Sequence, residues 1–364
     1  MTANLDEVGT KFLYGKSKML KRKTAFVIGA GASCEAGLPT GQNLRSKVAE
    51  ALDLRFQYGY QQLSGSEGVW RALVAAAGNA GLRDPRPYNS AAWMIRDAMP
   101  LTLSIDNFID AHRGDAVVET CGKVAISHVI LKAEQESSLF VNLAQGERSL
   151  DHKKLEGTWY PKLFQLLSEG IDKSQLDGIF ENASFIVFNY DRCLEYYLYE
   201  ALVSYYALPE GDAQRLVSSA TIVHPYGTVG DLHWEDRLGL SLGAQVGGER
   251  LLEISTKLRT FTEQYTDADV QKQIASIMDA AETLVFLGFA FHEQNMEILG
   301  ANESREPRKV FATALAVSRS DCEAITVDIR KLYASTIRKF DIEIRNDLKC
   351  ADLFDQYSRS LRAS

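Results

Sequence analysis

The sequence lacks any long apolar segment. It contains no run of about 18 or more uncharged apolar residues, the length that a membrane-spanning helix requires. Residues 1–23 mix Asp6, Glu7, Lys11 and Lys16 with apolar side chains, and so do not form the apolar centre of a signal peptide. Both absences predict a cytoplasmic protein that has no membrane partner.

Cysteine is also scarce. The five cysteines are scattered and form no C-x-x-C pair, which argues against a disulfide framework and a structural zinc site. The six histidines show no H-x-x-x-H spacing. The sequence therefore predicts no metal. The cysteines are Cys34, Cys121, Cys193, Cys322 and Cys350.

Positive charge is not in excess, because 40 Lys and Arg residues face 48 Asp and Glu residues, for a net charge of -8. Apart from a basic run at residues 16–23, little attracts a phosphate backbone, and no direct nucleic-acid binding is expected. The 364 residues are 46% hydrophobic. That content is enough for a large core in one domain with an insertion, or in two domains.

Short apolar runs suited to buried strands occur at intervals along the chain. Helical spacing separates most of them, follows the first at residues 41–54 and returns in a terminal helix at residues 351–362. A further helix is predicted over the first 20 residues. Alternating strands and helices predict an α/β protein with a mainly parallel, doubly wound sheet, whose ligands bind beyond the strand C-termini. The predicted strands are residues 24–28, 183–188, 220–223, 283–287, 309–317 and 340–344.

The segment from residue 53 to residue 177 has mainly helical periodicity and no convincing strand. We interpret it as a helical insertion between two parts of a nucleotide-binding domain, residues 1–52 and 178–364. The loop at residues 241–250 contains three glycines and is the best candidate for a mobile element.

A glycine-rich turn follows the first predicted strand directly. Gly29 and Gly31 permit close backbone approach, and the following helix directs free N–H groups towards an anion such as a pyrophosphate. A tight strand-to-helix turn without a ligand is the alternative. A dehydrogenase would have a second strand about 20 residues later that ends in Asp or Glu, and none is present.

Four separated segments, taken in order, resemble the sirtuin-like NAD-binding proteins and in particular their bacterial branch of NAD-hydrolysing defence enzymes. They are the turn at 29–33 with 37–40, the stretch 104–108, Asn189-Tyr190-Asp191 and His224-Pro225-Tyr226-Gly227. Leu287-Gly288-Phe289 with Asn295 is also similar. The resemblance spans residues 24–317 and implies a Rossmann-like fold.

The chain departs from that family in three ways. It lacks the four paired zinc-binding cysteines of the deacylases, and it has Phe188 where they have Gln. The segment after the predicted strand at residues 220–223 reads His-Pro-Tyr-Gly where the family more often has His-Gly. The first two departures favour hydrolysis of free NAD over protein deacylation. A deacylase or an ADP-ribosyltransferase that acts on protein is a third, weaker alternative.

The resemblance implies that NAD is the substrate and is cleaved to nicotinamide and ADP-ribose, which would deplete NAD during phage infection. Asn189 would hold water or a ribose hydroxyl, Asp191 the nicotinamide amide or the developing charge, and His224 would serve as general base. For Asn189 and Asp191 the alternative is a cap at a helix start, and for His224 it is a structural histidine. Cofactor-binding residues would be Gly29, Ala30, Gly31, Ala32, Ser33, Pro39, Thr40, Asp106, Tyr190, Gly288 and Phe289.

Asp106 and Thr40 have a helix-capping alternative of their own. Regulation by homo-oligomerisation or by a partner is expected, with a HerA-like ATPase favoured over an Argonaute-type protein. The competing function is a sensor or assembly module that binds NAD or ADP-ribose without turnover.

Overall fold

The structure is a computed structural model that describes residues 20–58, 61–261, 263, 267–300, 307–333 and 340–363. The helix predicted over the first 20 residues lies almost wholly outside this part of the chain. The strands are β1 (Thr24–Ile28), β2 (Arg55–Gln57), β3 (Gln61–Ser64), β4 (Ala183–Val187), β5 (Thr221–Val223), β6 (Thr283–Leu287), β7 (Lys309–Thr313) and β8 (Asp341–Arg345).

Six of these strands form one parallel sheet in the order β5-β4-β1-β6-β7-β8. The chain moves outward from β1 through β4 to β5, and then returns to the other side of β1 for β6, β7 and β8. The direction of winding therefore reverses between β1 and β6, and this topological switch point is where doubly wound sheets bind ligands. The predicted Rossmann-like α/β fold is confirmed.

Helices cover both faces of this sheet. The list follows chain order: α1 (Ala30–Ser33), α2 (Gly41–Ala51), α3 (Glu67–Asn79), α4 (Arg86–Ala98), α5 (Ile105–Ala111), α6 (Ala116–Glu136), α7 (Trp159–Ser168), α8 (Cys193–Tyr206), α9 (Glu210–Ser218), α10 (Gly248–Ser255), α11 (Ala268–Ala280), α12 (Glu293–Leu299), α13 (Arg319–Lys331) and α14 (Cys350–Ala363). None of the helices in the described ranges has the length and apolar character needed to cross a bilayer.

Successive side chains of β1 belong alternately to two hydrophobic cores, one on each face of the sheet. Ala25 and Val27 pack with α2 to α6 and α10 to α13, whereas Phe26 and Ile28 pack with α7, α8, α9 and α14. All five residues of β1 are buried, which explains why Ala25 to Ile28 form an unbroken apolar run and do not alternate with polar residues.

Residues 53–177 contain five helices, α3 to α7, and also a strand pair. The antiparallel hairpin β2/β3 lies in this segment, so the expectation that it contains no strand is wrong. Its seven strand residues are exposed or half-buried, and Phe56 makes a tilted contact with Trp70 at a centroid distance of 4.8 Å. Strands of three and four residues leave little periodicity to detect.

Four predicted strands also differ in their bounds, since β4 ends at Val187, β5 begins at Thr221, β8 covers Asp341–Arg345 and β7 ends at Thr313. β7 stops before the predicted residue 317 because the chain turns there: the Ala314 N–H still donates to the carbonyl of Arg345, but Ala316 has a φ of 63° and donates to that of Asn346, beyond the end of β8. In the glycine-rich loop, the Gly243 N–H donates to Glu134 and α10 already begins at Gly248. That loop is therefore attached to α6 at one point and helical at its end.

Candidate functional site

A cleft of about 570 Å³ opens at the switch point, beyond the C-terminal ends of β1, β4 and β6. Ala32 and His224 are the two predicted site residues that do not line it. The other twelve do: Gly29, Ala30, Gly31, Ser33, Pro39, Thr40, Asp106, Asn189, Tyr190, Asp191, Gly288 and Phe289.

At the glycine turn, the backbone of Gly29 and Gly31 passes directly over that of Gly288. The Gly29 and Gly31 N–H groups donate to the carbonyls of Leu287 and Gly288, each at 3.0 Å. A Cβ atom on Gly29 would lie 2.6 Å from the Gly288 oxygen, and one on Gly31 would lie 2.9 Å from it. These glycines therefore join β1 to β6, as close backbone approach requires, and their own N–H groups are not available to a ligand.

The longer helix α2 offers the cleft an alternative positive end. Its N-cap residue is Thr40, whose side chain makes no capping hydrogen bond, so the alternative role of this hydroxyl as a cap is not realised. Pro39, Thr40 and Gly41 all lie in the cleft wall. The first-turn N–H groups of an uncapped helix carry partial positive charge and favour an anion.

Asn189 follows β4 and is only 6% exposed. Its Nδ2 donates to the Gly29 carbonyl at 3.0 Å and to Ser33 Oγ at 2.8 Å. A backbone carbonyl only accepts hydrogen bonds, so these contacts fix which side of the amide is nitrogen. Oδ1 is then a buried acceptor without a protein partner among the described residues. Such an atom costs free energy unless a ligand or water satisfies it.

Asp191 is 4% exposed and accepts the Cys193 N–H at 3.1 Å at the start of α8. Burial raises the pKa of its carboxyl group, and a hydrogen bond with Ser33 partly opposes this. The helix-cap interpretation is thus realised for Asp191, although the residue also lies in the cleft wall.

His224 follows β5, and both of its ring nitrogens are occupied. Nδ1 lies 3.0 Å from the Asn189 carbonyl oxygen and Nε2 lies 2.6 Å from Glu195 Oε1. Both partners are acceptors when Glu195 is ionised, so this geometry favours a ring that donates from both nitrogens, an imidazolium. Burial opposes that charge, but the combined effects of Glu195, the Asn189 carbonyl and Asp191 outweigh it and raise the pKa of His224. This geometry favours the structural interpretation of His224 over its predicted role as general base.

Asp106 lies in the first turn of α5, where it accepts a hydrogen bond from the Tyr190 hydroxyl. Burial raises the pKa of the Asp106 carboxyl, and this hydrogen bond opposes the effect. The N-cap of α5 is Ser104, whose side chain accepts the Asn107 N–H. The capping alternative for Asp106 is therefore not realised, and its carboxyl group belongs to the cleft.

The site residues chosen from the sequence leave out part of the cleft wall. Tyr226 donates to Asn295 Oδ1 at 2.7 Å, and Asn107 Nδ2 lies 3.4 Å from Gln294 Oε1. His292 and Glu293 line the same wall and are exposed. The sequence did contain a signal, because residues 292–295 are four polar residues that closely follow a buried strand.

The residues Pro225 and Tyr226, which depart from the family pattern, have a visible consequence. Tyr226 joins Phe188 and Phe289 in an aromatic cluster, with Phe188 centroids 5.9 and 5.0 Å from the other two rings. Phe188 is the other departure from the family. Both departures thus make one end of the cleft aromatic.

A buried ion pair behind the cleft was not predicted. Arg192 donates from its backbone N–H and its guanidinium to Glu134, and both side chains are at most 2% exposed. Further guanidinium hydrogen bonds go to the carbonyls of Asp231, Leu240 and Ser241. The pair fixes α6 of the insertion to the turn that carries Asn189 and Asp191.

Among the described residues, no group of three or more His, Cys, Asp or Glu side chains is arranged to hold a metal ion. Fold and cleft define a Rossmann-like α/β protein with a polar and aromatic cleft at the switch point. No protein-family model, curated protein or solved structure matches the chain. The family resemblance therefore remains a hypothesis drawn from its residues.

Proposed function

We propose that this protein is an NAD glycohydrolase that cleaves NAD to nicotinamide and ADP-ribose in the cleft beyond β1, β4 and β6. The observation that carries the proposal is the Oδ1 atom of Asn189, a buried acceptor with no partner among the described residues in the cleft wall. A water molecule or a ribose hydroxyl would satisfy it. Hydrolysis at C1′ requires a water molecule held close to that carbon.

The charge of the cleft supports a cationic substrate group. Its described lining contains the carboxyl groups of Asp106, Asp191 and Glu293 and no Lys or Arg. These groups favour the nicotinamide ring of oxidised NAD, which is positively charged until the bond to C1′ breaks. The uncapped start of α2 suits the diphosphate. The aromatic end of the cleft suits a flat ring.

Little acid catalysis is needed, because nicotinamide leaves as a neutral molecule when it takes both electrons of the bond. Positive charge then develops on the ribose. Asn189 would orient the attacking oxygen, and His224 would hold the Asn189 backbone in place through its carbonyl. Two parts of the proposal come from the resemblance alone. One is the biological role in anti-phage defence, by NAD depletion inside the cell. The other is association with further copies or with a HerA-like ATPase or an Argonaute-type protein.

A module that binds NAD or ADP-ribose without turnover is the second candidate. Two observations favour it: Gly29 and Gly31 use their N–H groups within the protein, and no catalytic role is visible for His224. Both candidates predict nucleotide binding. They differ in whether nicotinamide is released.

The test is to incubate the purified chain with NAD, with and without the candidate ATPase, and to measure free nicotinamide by chromatography. Asn189→Ala is expected to lower release at least about 100-fold, the effect of removing one positioned polar group. Asn346, which donates to the Val317 carbonyl away from the cleft, provides the control Asn346→Ala. Binding of NAD by calorimetry without nicotinamide release under any condition would favour the sensor.

A further inference from the structure

Since His224 is occupied on both sides, the proposed reaction needs another proton acceptor. The titratable side chains in the described cleft lining are Asp106, Asp191, Tyr190, Tyr226, His292 and Glu293. Asp191 already accepts a hydrogen bond from the backbone N–H of Cys193 at the start of α8, and Asp106 accepts one from the Tyr190 hydroxyl. Burial raises the pKa values of both tyrosines well above the ordinary value, so neither is a base near neutral pH.

His292 has the opposite properties. It occupies the N-cap position of α12, its side chain makes no capping hydrogen bond, and it is exposed in the cleft wall. An exposed imidazole is reached by water and by substrate. Histidine is also the side chain best suited to exchange a proton near neutral pH.

The start of α12 lies against the start of α5, which carries Asp106. The two helices are joined by the Asn107–Gln294 contact at 3.4 Å. His292 is close enough for its charge to lower the pKa of Asp106, which burial and Tyr190 act on more strongly. A carboxylate beside an imidazole can select its tautomer and orient its ring.

We propose that His292 is the catalytic base of the cleft and that Asp106, held by Tyr190, is the residue that positions it. This assignment rests on the proposed NAD hydrolysis. It transfers the role predicted for His224, which does not line the cleft, to a histidine that does. His224 then acts as a positioning residue for Asn189.

In the step assigned to His292, the C1′–N bond breaks and both of its electrons pass to the nicotinamide nitrogen. The oxygen of a water molecule forms a bond to C1′, and one proton of that water passes to a ring nitrogen of His292. The products are nicotinamide, ADP-ribose and a protonated imidazole, which returns its proton to solvent. The charged or titratable groups that face His292 in the described cleft are Asp106, Tyr190, Tyr226 and its neighbour Glu293.

The experiment compares the full chain with His292→Ala, His292→Gln and the control His152→Gln, in which the lost contact is with Ser204 at the surface. Nicotinamide release is measured across pH, and NAD binding by calorimetry. Both His292 variants are expected to lose about 100-fold or more in kcat, the usual range for a general base. NAD affinity is expected to stay within about threefold, because a proton acceptor adds little to ground-state binding.

Two further readouts identify an imidazole that acts as a base. The fall in rate at acid pH is expected to disappear in His292→Gln, and added imidazole is expected to restore part of the rate of His292→Ala. Normal rate and pH profile in His292→Gln would overturn the assignment while NAD hydrolysis stood. Absence of nicotinamide release from the unaltered chain would overturn the proposed function, and the assignment with it.

Discussion

The crossing of the Gly29 and Gly288 backbones leads to a prediction that is independent of any ligand. Gly29 has an ordinary φ of -115°, but a Cβ there would lie 2.6 Å from the Gly288 oxygen and 2.8 Å from the Phe289 Cα. Both neighbours are backbone atoms that cannot rotate away. Gly29→Ala should therefore lower the free energy of unfolding by about 1–3 kcal/mol, the cost of overpacking a tightly packed site.

Gly288 adds a conformational cost, because its φ is +56° and a Cβ would lie 2.7 Å from the Gly31 Cα. The left-handed conformation costs a non-glycine residue about 1–2 kcal/mol. Gly288→Ala should therefore lose about 2–5 kcal/mol in total. The control is Gly41→Ala, since Gly41 lies in the same cleft wall with no atom within 4 Å of the added Cβ and without a positive φ.

Urea unfolding followed by circular dichroism provides the measurement, with each shift in midpoint converted through the slope of the transition. The expected order of stability is Gly41→Ala first, Gly29→Ala second and Gly288→Ala last. Gly41→Ala should be close to neutral or slightly stabilising, because Gly costs about 0.5–1 kcal/mol relative to Ala in a helix. If Gly29→Ala unfolds at the same urea concentration as Gly41→Ala, the crossing relaxes without cost and the explanation of these glycines is wrong.

Three other predictions concern charge. The pKa of His224 is raised in the folded state, so its contribution to stability is complete below the ordinary value of about 6.5 and is lost as pH rises through the folded value. The thermal unfolding temperatures of His224→Gln and the unaltered chain should therefore differ most at acid pH. A difference that does not depend on pH would contradict a protonated ring. Arg192→Met should lower the free energy of unfolding in urea by about 3–5 kcal/mol, because it leaves Glu134 buried and unpaired. Adding Glu134→Leu should recover most of this loss. If the effects of the two substitutions simply add, the ion pair is not the cause. NADP should bind about tenfold or more weakly than NAD in calorimetry, because its extra phosphate meets carboxyl groups and no Lys or Arg in the described lining; equal affinities would show that this phosphate lies outside the cleft.

The sequence was sufficient for the inner strands of the sheet because β1, β4, β6 and β7 are almost wholly buried. β1 and β6 were predicted with their observed ends, since each run of five apolar or β-branched residues lies between a charged residue and a glycine. The strand ends then placed Asn189 and Asp191 at one edge without any knowledge of pairing. The cleft followed from that topology, because the C-terminal ends of parallel strands meet at the same edge.

The orientation of side chains was not predictable in the same way. His224 was placed at the correct strand end, but only the fold brings Glu195 of α8 and the Asn189 carbonyl to its two nitrogens. The Glu134–Arg192 pair joins residues 58 positions apart, and neither has a motif that marks it. His292 has no metal-ligand spacing and received no role from the sequence, because its importance depends on which side of β6 the cleft opens.

The insertion is part of the cleft and does not simply cover it. Asp106 and Asn107 come from α5 of the insertion, Tyr190 follows β4, and Gln294 belongs to α12 after β6. The hydrogen bonds from Tyr190 to Asp106 and from Asn107 to Gln294 connect this one helix to both sides of the switch point. Residues 1–52 and 178–364 alone therefore hold Asn189 but lack the carboxylate proposed to position His292. A shift of α5 would alter the relation between His292 and Asp106 while leaving Asn189 in place, so the insertion is where a partner or a second copy would have most effect on turnover with least effect on binding.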